Sequence, residues 1–367
     1  MVSSSDSLAN TDRSALTAHV FSEAPARVYW ELTRACDLAC RHCRAAAEPR
    51  RAADELDTDD CIRVLDQLAN ASPRPHIVFT GGDPLKRPDL LHLVSYATAI
   101  GLDAAVAPSA RPALSRTTAQ SLRAAGVDAM SLSLDGPTPA QHDRIRGVFG
   151  CFGWTLAAAQ HIVAAGIALQ VNTLVTDETE EDLAETAKLV GRLGASHWSL
   201  FFVVPVGRAR ALAAPGPLAC ERLLRWLARH DGSWPFQVST TEAPHYRRVV
   251  LQMRSRAGAG EARPRPPAGS FGIRDGNGIM FIAANGDVTP SGFLPLVEGR
   301  VPDDDPLAVY RESALFRSLR SPDRFHGRCG ICAYRHVCGG SRARAYAASG
   351  DVLAEDPLCA WDPAGAA

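Results

Sequence analysis

Cys36-Asp37-Leu38-Ala39-Cys40-Arg41-His42-Cys43 places three thiols at the first, fifth and eighth positions of one short stretch. It directly follows Val28-Tyr29-Trp30-Glu31-Leu32-Thr33, an apolar run that reads as a buried strand. A structural zinc site takes four ligands, commonly as two closely spaced cysteine pairs. Three cysteines with no local fourth suit an iron–sulfur cube with one iron left open. A zinc or disulfide cluster is the alternative left by spacing alone.

Outward from this stretch, short aliphatic runs alternate with helix-like segments. The expected strands are Val28–Thr33, His76–Thr80, Asp103–Ala107, Ala129–Leu134, Ala168–Leu174 and Trp198–Val204. They lack strict polar alternation, the pattern of a parallel sheet buried on both faces. Between them the sequence predicts helices at Asp59–Ala69, Pro88–Ile100, Arg116–Ala125, Trp154–Ala165 and Glu180–Leu193, with Gly101, Gly126, Gly166 and Gly194 just past four of them as C-caps. Six strand–helix units imply an α/β fold, a partial (βα)6 TIM-type barrel, with its chemistry at the C-terminal ends of the strands. Cys36, Gly81, Ser109, Asp135 and Asn172 all fall at or near such ends.

The expected divisions are a flexible tail over 1–24, the barrel over 25–235, a linker or lid over 236–275 and a small cysteine-rich module over 276–367. The Arg-, Gly-, Ala- and Pro-rich stretch Arg254–Gly269 marks the linker. Asn285-Gly286 between Ile279–Ala283 and Asp287–Thr289 predicts a hairpin with a type I′ turn.

The 367 residues carry 39 Lys+Arg against 40 Asp+Glu, so no charge excess points to nucleic acid or an anionic membrane. No apolar run reaches the roughly 20 residues of a bilayer span, and the Ser-rich start lacks the apolar core of a signal peptide. The expectation is a cytoplasmic protein whose 10 cysteines are metal ligands or buried thiols. Cys61, Cys151 and Cys220 stand apart and read as structural.

Three further segments carry chemistry. Thr80-Gly81-Gly82-Asp83-Pro84 offers a glycine-pair backbone that a ligand can approach, with carbonyls free to accept from an ammonium group. Ser131-Leu132-Ser133-Leu134-Asp135-Gly136 ends the fourth strand, and His142-Asp143-Arg144-Ile145-Arg146-Gly147 follows it. Near the C-terminus, Cys329, Cys332, Cys338 and Cys359 supply four thiolates, enough for a second 4Fe–4S cluster or for a zinc knuckle.

Together these segments, from about Val28 to Asp362, resemble the radical S-adenosylmethionine (SAM) superfamily. The resemblance implies an open six-unit barrel in which Cys36, Cys40 and Cys43 hold a 4Fe–4S cluster. Its open iron chelates SAM, which is cleaved to a 5′-deoxyadenosyl radical that abstracts hydrogen from a substrate C–H bond. Gly81, Gly82 and Asp83 match the Gly-Gly-Glu-Pro motif that holds the amino group of SAM, with Asp83 replacing Glu. Ser133 and Arg146 match contacts to ribose or carboxylate, and Asn172 a ribose contact. His42 stands where relatives often carry an aromatic beside adenine.

The C-terminal module resembles the SPASM/twitch-type extension of peptide-modifying radical enzymes. A full version has seven cysteines and two auxiliary clusters. Here Ser291 stands where the full motif has cysteine, so the resemblance implies one auxiliary cluster, on Cys329, Cys332, Cys338 and Cys359. Gly339–Ala345 and Ala354–Cys359 narrow the likeness to the enzymes that modify tetrapyrrole propionates in haem and haem d1 synthesis. The expected substrate is a ribosomally made peptide or, alternatively, a tetrapyrrole; no obvious leader-binding domain precedes the barrel, which favours the latter. The electron donor implied is a flavodoxin or ferredoxin. A molybdopterin-type cyclisation has a different C-terminal cysteine spacing. A non-catalytic iron–sulfur or zinc protein would not need Gly81, Ser133, Arg146 and Asn172 at successive strand ends.

Overall fold

Strand β1 (Arg27–Glu31) sits inside one continuous sheet and ends where the cysteine stretch begins. The computed structural model describes residues 20–256 and 272–365, so most of the expected tail over 1–24, and residues 257–271 of the expected linker, lie outside the described residues. Parallel to β1 run β2 (His76–Thr80), β3 (Ala104–Val106), β4 (Ala129–Ser133), β5 (Ala168–Val175), β6 (His197–Phe202) and β7 (Gln237–Thr241), each beside its predecessor. The crossovers carry α1 (Thr58–Ala69), α2 (Leu90–Ala99), α3 (Arg116–Ala124), α4 (Pro139–Arg146) with α5 (Cys151–Ala164), α6 (Leu183–Arg192) and α7 (Pro217–His230). Helix α8 (His245–Arg256) follows β7.

The six expected strand–helix units are present, and β7 with α8 adds a seventh inside the segment read as linker over 236–275. Gln-Val-Ser-Thr-Thr has little apolar signal because β7 is an edge strand, bonded among the described residues only to β6. On the other side, β8 (Arg274–Asp275) pairs with β9 (Gly278–Ile282), and β9 lies parallel to β1. Strands β10 (Asp287–Thr289) and β11 (Gly299–Arg300) extend that edge antiparallel. The sheet therefore stays open between β7 and β11, and the boundary expected at 276 falls inside it. Beyond it come α9 (Pro306–Glu312), α10 (Ala314–Leu319), α11 (Gly327–Ile331) and α12 (Arg342–Ser349).

The strands do alternate, which corrects the expectation of two apolar faces. Ile77, Phe79, Met130, Leu132, Leu169 and Val171 point into the core under the helices. Their neighbours Ser131, Ser133, Gln170 and Asn172 face a central cavity. Such a barrel needs apolar packing only on its outer layer, because the inner face is reserved for ligand. The helix ends match their sequence signals: Asp57 and Ser115 cap α1 and α3 by accepting from Asp60 and Thr118 N–H, and Gly101, Gly126, Gly166 and Gly194 all have positive φ.

The β9–β10 turn is not type I′. Among the described residues only Ala46 and Glu242 have positive φ without being glycine, so Asn285 does not; Gly286 alone does, at φ +87°. Gly286 N–H donates to Ala283 O (2.9 Å) and Ala283 N–H to Asp287 O (2.9 Å), which is a type I turn closed by a glycine bulge. Among the described residues no single helix is long and apolar enough to cross a membrane.

Candidate functional site

The cysteine stretch is held from below by its neighbours. Thr33 Oγ1 and Arg34 N–H donate to Glu55 Oε1 at 3.0 and 2.8 Å, fixing the exit from β1. Gly82 N–H donates to Thr33 O and Asp83 N–H to Ala35 O, both at 2.7 Å. A Cβ on Gly82 would lie 2.5 Å from Ala35 O, and one on Gly81 would lie 2.4 Å from Thr33 O. The glycine pair is thus needed first for the close approach of the cysteine loop's own backbone. From the other side, Arg208 N–H donates to Cys43 O (3.0 Å) and Arg208 Nε to Cys40 O (2.9 Å).

Donors also aim at the sulfurs. Leu38 N–H points to Cys36 Sγ and Ala47 N–H to Cys43 Sγ, each at 3.4 Å, while Arg146 Nη1 lies 3.4 Å from Cys40 Sγ. Amide and guanidinium donors stabilise thiolate over thiol, the form that ligates metal. The donor set therefore fits a thiolate-ligated cluster.

Cys36, Cys40, His42, Cys43, Gly81, Gly82, Ser133, Arg146 and Asn172 all line one cavity of about 590 Å³. Asp83 does not line it. Its Oδ1 accepts from Leu85 N–H (3.1 Å) and Ser109 N–H (3.4 Å), tying the end of β2 to the end of β3. Burial raises its carboxyl pKa, with those donors opposing. Arg146 is already engaged: its Nε lies 2.9 Å from Asp135 Oδ2. Burial works against the Arg146 charge, but Asp135 and Cys40 outweigh it and its pKa is raised. Burial likewise opposes the Asp135 charge, yet Arg146, His42 and His142 hold the carboxyl below its ordinary value. Asn172 Oδ1 accepts from Gln170 Nε2 at 2.7 Å. Burial pulls the His42 imidazole down to about 4, and its buried Nδ1 has no partner among the described residues.

The four C-terminal thiols, Cys329, Cys332, Cys338 and Cys359, line a second, smaller cavity of about 20 Å³. Gly340 N–H lies 3.5 Å from Cys338 Sγ and Arg342 Nη2 lies 3.6 Å from Cys329 Sγ. Gly340 borders both cavities. Neither thiol set closes on a point: among the described residues no three His, Cys, Asp or Glu side chains group tightly enough for a single metal ion. A cube spreads its ligands wider than one ion does.

Sequence reasoning missed several residues of this wall. Arg208 clamps the cysteine loop, and Glu242, Arg247, Arg274 and Asp275 form the wall next to Gly340; Asp135, noted at its strand end, has the further part of anchoring Arg146. Their partners lie 100 or more residues away in many cases (Arg146–Cys40, Arg208–Cys40), a separation that carries no local pattern.

Residues 30–190 match the Radical SAM superfamily. The chain is 36% identical over 345 residues to the AdoMet-dependent heme synthase of Methanosarcina barkeri, covering 93% of this chain and 98% of that protein. It is 30% identical over 352 residues to the PqqA peptide cyclase of Ruegeria pomeroyi, covering 93% of this chain and 88% of that one. Among solved structures, Streptococcus suis SuiB bound to S-adenosylmethionine superimposes with a TM-score of 0.71 at 16% identity, covering 92% of this chain and 78% of that one. Three thiols on the loop after the first strand of an open parallel barrel, together with relatives matched along nearly the whole chain, make this protein a radical SAM enzyme, a family that works with S-adenosylmethionine and a 4Fe–4S cluster.

Proposed function

We propose that this enzyme oxidatively modifies a side chain of a tetrapyrrole, as a haem-forming synthase. The observation that carries the reading is the pairing of the two cavities. The larger has the three thiols of the cysteine loop on its wall and the size of a small-molecule site, and it shares Gly340 with the four-thiol cavity. The resemblance to the heme synthase of Methanosarcina barkeri, over 98% of that protein's length, supports the tetrapyrrole over the peptide expected first. The likeness to the PqqA peptide cyclase keeps a peptide as the second reading.

In this reading Cys36, Cys40 and Cys43 hold the radical cluster, and Cys329, Cys332, Cys338 and Cys359 hold one auxiliary 4Fe–4S cluster. When bound, these groups with SAM supply a 5′-deoxyadenosyl radical and an acceptor for the electron left on substrate. The barrel sheet, including β7 and the strands β8–β11 on its other edge, holds the cofactor, and the thiols of 329–359 hold the auxiliary cluster. The chain's own part is to position and to seal. Gly81, Gly82, Ser133, Asn172 and His42 offer the surface for SAM. Arg146 is committed to Asp135 and Cys40, so it orients the loop, and Arg208, whose buried Nη2 has no partner among the described residues, is the cation beside the cysteine loop that remains for the cofactor's carboxylate. The neutral His42 ring presents a flat face rather than a charge. The protein works in the cytoplasm with a flavodoxin- or ferredoxin-type reductant.

The test is anaerobic incubation of reconstituted protein with SAM, reductant and a propionate-bearing iron tetrapyrrole, read by mass spectrometry. The expected result is a tetrapyrrole of changed mass formed alongside 5′-deoxyadenosine. An unchanged tetrapyrrole, with a peptide modified in its place, would establish the second reading instead.

A further inference from the structure

The arginines on the two cavity walls fall into two kinds. Around the four-thiol cavity each is neutralised: Arg248 by Glu221 (3.2 Å), Arg328 by Glu355 (3.1 Å) and Arg335 by Asp323 (2.8 Å). On the large cavity Arg44 pairs with Glu31 (3.0 Å) and Arg146 with Asp135 (2.9 Å). Arg27, Arg208, Arg247 and Arg274 line that same cavity with no carboxylate partner among the described residues; Arg27 is exposed and Arg208 is bonded to the cysteine loop, which sets Arg247 and Arg274 apart. Among the described residues neither lies within ion-pair distance of a carboxylate. Arg247 Nη1 donates to Ile273 O (2.7 Å) and Val337 O (3.3 Å); Arg274 donates from Nη1 to Gly272 O (2.9 Å) and from Nη2 to Leu319 O (3.1 Å). Arg274 is 5% exposed and its buried Nε has no acceptor among the described residues.

A buried guanidinium held only by carbonyls is costly unless an anion arrives. Burial, joined at Arg274 by the charges of Arg342 and Arg247, lowers Arg274 to about 9 and Arg247 to about 10, so both remain charged at neutral pH. Two acidic groups share the wall. Asp275 Oδ2 accepts from Ala343 N–H at 2.9 Å. Glu242, bonded to Ser341 Oγ, has its carboxyl pushed well up by burial and by Asp275, with Ser341 and Arg344 opposing.

We propose that Arg247 and Arg274 form a carboxylate-binding subsite on the cavity wall beside Gly340 and Ser341, taking a non-reacting carboxylate arm of the substrate. The subsite rests on the tetrapyrrole reading and deepens it. A guanidinium fork matches a carboxylate in two parallel hydrogen bonds. A ring with several similar arms can present one of them to the cysteine loop reproducibly only if another is anchored elsewhere. Arg247 and Arg274 are positioning residues of that kind.

The experiment is an absorption titration of reconstituted protein with an iron porphyrin bearing propionates and, separately, with its methyl ester. Wild type should bind the free acid more tightly than the ester. Arg247→Gln and Arg274→Gln should each weaken the free acid by about 10- to 100-fold and leave the ester unchanged. Arg274→Lys should recover part of the loss, and iron content with the thermal unfolding midpoint checks that each variant is folded. Equal free-acid binding by wild type and folded Gln variants would overturn the subsite and leave the tetrapyrrole reading standing. No binding to wild type would overturn both. An acidic peptide that displaces the free acid from wild type but not from the Gln variants would assign the arginines to a peptide substrate and overturn the tetrapyrrole source.

Discussion

Replacing Gly82 by Ala tests whether the site is built on the contact between two strand-end loops. Gly82 has no positive φ, so the substitution adds a methyl group without backbone strain of its own. That methyl would meet Ala35 O at 2.5 Å, Arg34 O at 2.6 Å and Ala35 C at 2.7 Å, all backbone atoms with no rotamer to give. Forcing a methyl into packed surroundings costs about 1–3 kcal/mol. Separating the loops also breaks the bonds from Gly82 N–H and Asp83 N–H at 2.7 Å, about 1 kcal/mol each. The sum, about 3–5 kcal/mol, is a large part of a typical domain stability of about 5–15 kcal/mol. The chain escapes part of that cost by moving Ala35, and with it Cys36. Iron and sulfide content after anaerobic reconstitution, SAM binding by calorimetry and the urea midpoint report the damage. Gly153→Ala is the control: that glycine lies in α5 with nothing within 4 Å of an added Cβ, and the change should stabilise by about 0.5–1 kcal/mol. A Gly82→Ala protein with wild-type iron, affinity and urea midpoint would refute the reasoning.

Replacing Cys36, Cys40 and Cys43 together by Ala should leave about half the reconstituted iron and abolish 5′-deoxyadenosine formation; one zinc and no labile sulfide in wild type would refute the two-cluster count. Cys338→Ala should still cleave SAM but fail to complete turnover, and full product from a folded variant lacking the second cluster would reduce that cluster to a staple. Arg208→Ala should weaken SAM binding by about 10- to 100-fold, the worth of one charge-assisted contact of roughly 1.5–3 kcal/mol, and unchanged affinity with intact iron would rule out its contact with the cofactor's carboxylate. Burial pulls the His142 and His245 imidazoles from 6.5 to about 4, so between those values the unfolded chain binds more protons than the folded one. Stability should therefore be full above pH 6.5 and fall toward pH 4, by up to about 1.4 kcal/mol per pH unit for each histidine, and a urea midpoint unchanged from pH 7 to pH 5 would contradict their burial.

The outer layer of the barrel was legible because its signals are local. His76–Thr80 is both the expected and the observed second strand, and the glycines past α2, α3, α5 and α6 mark helix ends in sequence and structure alike. The thiols of the loop after β1 were legible for the same reason, since Cys36, Cys40 and Cys43 lie within eight residues and line one cavity. β7 was not legible, since an edge strand facing a cavity keeps its polar residues and loses the apolar run that announces a buried one. Nor was the true occupation of Arg146. Its motif gives a cation near the cofactor, and only the fold shows that Asp135 and the Cys40 sulfur have claimed it. Arg247 and Arg274 sit in sequence beside an Arg-rich stretch and would be dismissed as solvated charge; that carbonyls hold them, with no carboxylate partner among the described residues, is visible only in the fold.

The pairing of β1 with both β2 and β9 also bears on how the enzyme is made. Arg27–Trp30 receives its second neighbour from Ile279–Ile282, about 250 residues later in the chain. A ribosome emits the cysteine loop early, yet the strand that carries it keeps one bare edge until the C-terminal third has emerged. Contacts of such sequence separation form slowly, and a bare edge invites pairing with other chains. Completion of the sheet, rather than synthesis of the ligands, is thus the event that readies this protein for its iron.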